Sequence, residues 1–450
     1  MLSPAQRSAL LLALLVPLVG FEQLSTPAKA APLTTPLRVP LQWAPDPDNP
    51  SILKLGIQAS LNGGSARLFE FDTGGTGFFA TFATNFASSS PWWGSNTACP
   101  SGSCTPFTTT YDSGLTYTGN IVTSSVSLFG SSATPLLTVP NLSVGQTTAI
   151  TCNPGATCSS KSGQSSDSGW NATTGLLNPP VQGNFYGDFG LSLRNGGSGG
   201  PNSPITQGAF WAAFDPSITR GYRVHAASDN PWVQFGLTAA DLAPRPLRFA
   251  LNGTGGTSTG SLEVSQGSTT FSGADLTTLI FDTGATTTIH TGAITINGDP
   301  FPPSNFPCGL TTQGCVEPTA VSPGSQVQIS GLSLSTGKPT TILDFMAGNN
   351  KATSPAFNEV AVQGYMSTTL APACAALAPP QPCYYVNTGI LPFLSNDVIV
   401  DLSTWSAANP SGELSLVEQV PAPPALLAPF AVLGAARRLR KRQVGGQRLV

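Results

Sequence analysis

Asp72 lies in LFEFDTGGTGFF, residues 68–79, and Asp282 lies in TLIFDTGATTTI, residues 278–289. In both stretches an apolar run ending in Phe precedes the acid, and Thr-Gly follows it. A single Asp-Thr-Gly is ordinarily a turn, because an Asp side chain bonds readily to nearby backbone. Two copies at the tips of similar strands have a chemical use. Carboxyls brought close together cannot both ionise cheaply, so one keeps a proton while the other is charged, and one site gains an acid and a base. Their titration then belongs to the pair. Two further acidic triplets, Asp112-Ser113-Gly114 and Asp167-Ser168-Gly169, follow Thr- and Ser-rich stretches with no apolar run in front. The informative unit is therefore strand plus Asp-Thr-Gly.

The elements that must carry these acids read as β throughout. The chain has 450 residues, with 48 Gly, 41 Pro and only 9% charged residues. Short Val/Thr/Phe/Leu runs alternate with Gly, Pro and Asn clusters, and long helical periodicity is absent, so an all-β fold is predicted. ILKLGIQASL, residues 52–61, is expected to turn at Asn62-Gly63-Gly64 and return through ARLFEF into Asp72. GSLEVSQGSTTFSG, residues 260–273, followed by LTTLIF, is expected to lead into Asp282 in the same fashion. Little beyond the motif and its lead-in repeats. The Ser/Gly-rich stretches 151–169 and 195–204 read as surface loops. The length permits two or three domains. A boundary is placed within about ten residues of Gly236.

Both ends read as addresses. Arg7, the apolar stretch 9–20 and Ala28-Lys29-Ala30 have the form of a secretory signal over residues 1–30. A buried N-terminal helix is the other reading of that stretch. Eight cysteines agree with export and fall into close pairs: Cys99/Cys104, Cys152/Cys158, Cys308/Cys315 and Cys374/Cys383. Nearest-neighbour bonding is the simplest of the about 105 possible pairings. No C-x2-C pair exists, and His225 and His290 are the only histidines, so no metal site and no organic cofactor is expected. Neither histidine shows a partner in sequence, and no Gly-x-Ser-x-Gly precedes them, which argues against a Ser-His-Asp enzyme. Residues 420–450 join Pro421-Ala422-Pro423, the apolar stretch 425–436 and a cluster of Arg437, Arg438, Arg440, Lys441 and Arg442. That apolar stretch would span about 18 Å as a helix, short of a hydrocarbon core of about 30 Å. The tail resembles the bacterial PEP-CTERM sorting signal. The resemblance implies transient membrane retention, release by a C-terminal sorting protease of the membrane, and delivery to the periplasm, outer envelope or exterior. A permanent short anchor is the other reading. Residues 31–420 carry 11 Lys and Arg against 21 Asp and Glu, a balance that repels nucleic acid.

Over residues 51–419 the chain resembles the pepsin-like, two-lobed aspartic peptidases, in which proton sharing between two aspartates is established behaviour. The resemblance implies a 51–235 lobe and a 236–419 lobe around a cleft, preceded by an extended segment, 31–50. It makes Asp72 and Asp282 the residues that activate water. Thr73 and Thr283 would cross-bond the two loops, and Gly74 and Gly284 would let backbone N–H groups reach the carboxylates. TTYDSGLTYTGNIV, residues 109–122, resembles the flap hairpin, with Tyr111, Ser113 and Gly114 over substrate. YGDFGLSL, residues 186–193, resembles the element that braces the first loop, with Phe189 and Gly190 in the bracing positions. GILPFLSNDVIVDLST, residues 389–404, resembles its counterpart in the second lobe. Cys99 and Cys104 sit where the family often carries a small disulfide loop.

Four positions depart from that pattern. Gly75 and Ala285 replace the Ser or Thr whose hydroxyl bonds the outer carboxylate oxygen, Phe79 replaces Trp, and Pro392 falls at the bracing glycine of the second lobe. Loss of the two hydroxyl donors is expected to raise the pair's pKa values and move activity toward weaker acid. The expected function is a secreted or envelope-sorted aspartic endopeptidase acting as a monomer on protein or peptide substrates. The competing expectation is a weak or inactive surface binding protein on the same fold.

Overall fold

The hairpin expected ahead of Asp72 is present. In the computed structural model, Leu53–Leu61 and Arg67–Asp72 pair antiparallel, with Gly56 opposite Glu70 and Ala59 opposite Arg67. Asn62 and Gly63 turn the chain at φ 47° and 74°, the left-handed region that Asn and Gly enter most readily. The structure describes residues 31–45, 53–82, 93–94, 99, 104–110, 115–152, 170–171, 176–177, 185–193, 200–226, 230–243, 245–251, 257–258, 260–266, 269–273, 278–285, 287–291, 294–296, 299–301, 319–320, 326–346, 360–364, 385–408 and 411–419. The signal and tail assignments, 1–30 and 420–450, lie outside these residues.

The described residues are almost entirely β. The helical elements with described bounds are a 3-10 turn at Pro204–Thr206 and two short helices, Gly208–Trp211 and Leu391–Ser395. The largest sheet begins with Leu247–Leu251, Gly412–Glu418 and Asn396–Asp401, continues through Thr219–His225, Trp232–Leu237 and Leu37–Pro45, and then enters the Leu53–Leu61 hairpin. Strands near the C-terminal end of the chain thus hydrogen-bond in one sheet with strands from its beginning. Val398-Ile399-Val400, buried β-branched residues, form the middle of this platform.

A set of four strands occurs twice. In the first half, Gly187–Gly190 lies between Arg67–Asp72, to which it is parallel, and Phe78–Thr81, to which it is antiparallel. Phe78–Thr81 is in turn parallel to Pro135–Cys152. In the second half, Tyr385–Asn387 lies between Thr278–Ile280, parallel, and Thr287–Thr291, antiparallel, and the latter is parallel to Val360–Gly364. The two Asp-Thr-Gly motifs leave corresponding strands of these two sets.

The lead-ins differ. Gly260–Gln266 and Thr269–Gly273 do form a hairpin, but in a separate sheet with Gln326–Leu332 and Pro339–Met346. The strand entering Asp282 pairs instead with Thr257–Ser258 on its free side. Its two edges are then taken, so the expected hairpin has no edge to join.

One apolar core runs through both halves, with Phe69, Phe71, Phe78, Phe189, Phe235, Phe249 and Phe393 fully or almost fully buried. Each such ring contributes about 1.5–3 kcal/mol through burial. That continuity fixes the two motif-bearing strands relative to each other.

Candidate active site

Alternation along Arg67–Asp72 places Glu70 and Asp72 on one face and Phe69 and Phe71 on the other. The parallel neighbour braces the chain as it leaves the strand. Gly190 pairs with Asp72, Leu191 N–H donates to the Asp72 carbonyl at 2.7 Å, and Ser192 N–H donates to the Gly75 carbonyl at 2.9 Å. In the second half Asn387 pairs with Ile280, Thr388 N–H donates to the Ile280 carbonyl at 2.8 Å, and Ile390 N–H donates to the Ala285 carbonyl at 3.1 Å.

The two loops are locked by reciprocal hydrogen bonds. Thr73 N–H donates to Thr283 Oγ1 at 3.1 Å, and Thr283 N–H donates to Thr73 Oγ1 at 3.0 Å. The hydroxyls then donate onward, Thr73 to the Phe281 carbonyl at 2.9 Å and Thr283 to the Phe71 carbonyl at 2.6 Å. Both threonines are buried, so this lock operates without competition from water. A small cavity beneath it is lined by Thr73, Phe281, Tyr222, Val398 and Val400, which places the platform strands directly under the loops.

The lock sets the carboxyls of Asp72 and Asp282 side by side, each against the glycine of the opposite loop. Each carboxylate also accepts from its own loop: Gly74 N–H to Asp72 Oδ1 and Gly284 N–H to Asp282 Oδ1, both at 2.7 Å. The glycines are required by the approach. A Cβ on Gly74 would lie 2.5 Å from Asp282 Cγ, and one on Gly284 would lie 2.7 Å from Asp72 Cγ. Burial pushes the Asp72 carboxyl well above its ordinary value, and the neighbouring carboxylates Asp282, Asp188 and Glu70 push it the same way. Beside Asp282, Asp72 can keep a proton where an ordinary aspartate has lost it.

Other groups at the site were not picked out in the sequence. Lys54 Nζ donates to Glu70 Oε1 at 2.7 Å and also to the carbonyl oxygen of Gly284 in the opposite loop. Burial lowers the proton affinity of the Lys54 ammonium, but Glu70, with Asp72 and Asp282 beyond, holds it above the ordinary lysine value. The visible signal was the rarity of charge: Glu70 shares a strand face with Asp72, and continuing the hairpin register puts Lys54 opposite Asp72. Tyr117, on Leu115–Phe129, is buried with its hydroxyl held well above the ordinary tyrosine range, by burial first and then by Asp188, Glu70 and Asp72.

Two expectations about the departures change. Pro392 is not the bracing residue: it opens the helix Leu391–Ser395, and the brace is Asn387-Thr388-Gly389 on the preceding strand and turn. Strand pairing selects the short Tyr-Val-Asn strand rather than the apolar run that contains Pro392. Nor is Asp282 without a side-chain donor. Asn387 Nδ2 donates to Asp282 Oδ2 at 2.6 Å, and Asn387 Oδ1 is itself fixed by Gly389 N–H at 2.9 Å. The donor comes from the brace rather than from the residue after Asp-Thr-Gly. Phe79 is buried against Phe107 and Tyr117, with ring centroids 5.3 and 5.8 Å away.

Thr105–Thr110 and Leu115–Phe129 form the hairpin expected at the flap, while Tyr111, Ser113 and Gly114 at its tip lie outside the described residues. Cys99 and Cys104 are bonded to each other. The pairs containing Cys152, Cys158, Cys308, Cys315, Cys374 and Cys383 involve side chains outside the described set. His225 does have partners, contrary to expectation: its Nδ1 lies 2.6 Å from Asp397 Oδ1, and its ring stacks on Trp232. Asp397 comes from a strand 172 residues away, a contact that local sequence does not reveal. His290 lies on Thr287–Thr291, with its side chain outside the described set.

No protein-family model and no curated protein matches the chain. Among solved structures it is similar to the crystal structure of an aspartic proteinase from Irpex lacteus, at 12% identity and a TM-score of 0.43, over 85% of this chain and 98% of that one.

Proposed function

We propose that the protein is an aspartic endopeptidase that hydrolyses peptide bonds with a water held between Asp72 and Asp282. The observation that carries this reading is the reciprocal Thr73–Thr283 lock, which brings the buried carboxyl of Asp72 and the half-buried one of Asp282 into a near-symmetric pair. In the reaction, one carboxylate takes a proton from the water as it attacks the scissile carbonyl. The other carboxyl donates a hydrogen bond or a proton to the carbonyl oxygen, so the pair supplies base and acid at once. The halves 51–235 and 236–419 are the two lobes in this reading, and the 105–129 hairpin with Tyr111, Ser113 and Gly114 covers an extended peptide. One chain supplies both acids, so a monomer suffices. The signal-like N-terminus and the sorting-type tail support action outside the cytoplasm, with release by a membrane sorting protease.

The test is cleavage of an unbiased peptide mixture by the full chain, exported into an oxidising compartment, from about pH 3 to 7, where coupled carboxylates titrate. Asp72→Asn and Asp282→Asn variants, shown to fold by near-UV circular dichroism, run beside it. Loss of cleavage in both variants is expected. A folded wild type that cleaves nothing would leave a surface binding protein as the better reading, and cleavage unchanged in both variants would overturn the shared pair.

A further inference from the structure

We infer that Asp188 is a positioning residue that stands beside Asp72 as a protonated acid and donates to it the hydrogen bond that Asn387 donates to Asp282. This deepens the peptidase reading and rests on it.

The repeated strand set makes Asp188 and Asn387 counterparts. Asp188 lies opposite Glu70, two residues before Asp72, and Asn387 lies opposite Ile280, two residues before Asp282. Both are on the central strand of their set, and both are buried. In the second half the side chain of this position reaches the aspartate and bonds Oδ2. In the first half Asp188 occupies the corresponding space. A Cβ on Gly75 would lie 2.6 Å from Asp188 Oδ2 and 2.9 Å from Asp72 Oδ2. The carboxyl of Asp188 thus fills the place a side chain at position 75 would take, next to the oxygen such a side chain would serve.

Charge decides the protonation state. Asp188 is faced by Asp72 and Glu70 from Arg67–Asp72, by Tyr117 from Leu115–Phe129, and through Asp72 by Asp282 from the opposite loop. Among the described residues the cation of the group is Lys54 on Leu53–Leu61, which is bonded to Glu70. With Glu70 neutralised, three crowded carboxyls remain, Asp72 and Asp188 buried and Asp282 half-buried, and a single negative charge among them is the least costly state. One proton serves the Asp72–Asp282 pair. The second sits on Asp188 and points at Asp72 Oδ2, so that both outer oxygens receive a side-chain donor, an amide on one side and a carboxylic acid on the other.

The experiment compares wild type, Asp188→Asn and Asp188→Leu in two measurements, pH-dependent peptide cleavage and infrared absorption of protonated carboxyls at about pH 6, well above the ordinary aspartate range. Asp188→Leu is expected to lower kcat about ten- to a hundredfold and to move the optimum upward. Asp188→Asn, which keeps a donor but cannot ionise, is expected to recover most of that loss and to make the alkaline limb of the profile less steep. The infrared band of one protonated carboxyl is expected to disappear in Asp188→Asn. An Asp188→Asn variant as impaired as Asp188→Leu, or an infrared spectrum unchanged by Asp188→Asn, overturns the proposal even where the wild type is a peptidase. A wild type that cleaves nothing but loses the band in Asp188→Asn sustains the protonated Asp188 while removing the peptidase reading.

Discussion

Lys54, on the first strand of the hairpin before Asp72, donates its ammonium to the carbonyl oxygen of Gly284 in the opposite Asp-Thr-Gly loop. The same ammonium is paired with Glu70, which is 3% exposed. An ion pair with a buried carboxylate and a half-buried ammonium therefore ties the backbone of one acid-bearing loop to the strand that carries the other. Removing one partner leaves the other charge buried and alone, at a cost of about 3–5 kcal/mol, whereas replacing both by apolar side chains is often close to neutral. Lys54→Met and Glu70→Leu are each expected to lower the urea midpoint strongly, and the double variant to regain most of the loss. Additive losses in the double variant would refute that coupling.

The threonine lock predicts a difference between removing and trimming. Thr283→Val removes a donor to Phe71 and an acceptor for Thr73 N–H, orphaning two buried backbone groups at about 1–3 kcal/mol each. Thr283→Ser keeps both bonds. Cleavage is expected to fall about a hundredfold in the valine variant, through misplacement of the pair. The serine variant should stay close to wild type. Equal activity of the two would show that the hydroxyl does not set the geometry.

Asn387 predicts a shift in pH rather than a loss of fold. Its amide bonds Asp282 Oδ2 and stabilises the charged form of the pair. A hydrogen bond to a charged group is worth about 1.5–3 kcal/mol, so Asn387→Leu is expected to raise the pH optimum by roughly one to two units. A profile that keeps its midpoints would remove Asn387 from the electrostatics of the site.

Gly75 tests the crowding next to Asp188. Gly75→Ser places a Cβ against the Asp188 carboxyl and is expected to impair cleavage. Gly75→Ser combined with Asp188→Ala moves the donor from the brace to the loop and is expected to restore it. Failure of the double variant to improve on the single one would locate the damage elsewhere.

Asp72 also makes stability depend on pH. Its carboxyl titrates well above the ordinary value in the folded protein, with burial the largest cause. The folded state therefore binds more protons than the unfolded chain between those two values. The stabilisation is complete below the unfolded pKa and is lost as pH rises through the folded one, by up to about 1.4 kcal/mol per unit for one proton. Denaturant melts from about pH 4 to 7 should show this decline in the wild type. Asp72→Asn should flatten it. An equal slope in both would contradict the assignment.

The sequence by itself determined the class of the fold and the two acids. Gly, Pro and β-branched residues at short spacing dictate strands, and an apolar strand running into Asp-Thr-Gly twice marks a pair, because both features are local. The hairpin at Asn62-Gly63 and the disulfide between Cys99 and Cys104 were legible for the same reason. What surrounds the acids was decided only by the tertiary structure. Asn387 reaches Asp282 across 105 residues and Lys54 reaches Gly284 across 230, contacts that no periodicity records. The equivalence of Asp188 and Asn387 is likewise invisible in the residues. Strand pairing is made by backbone hydrogen bonds and needs only a burial pattern, so the two halves share their pairing order while sharing few side chains.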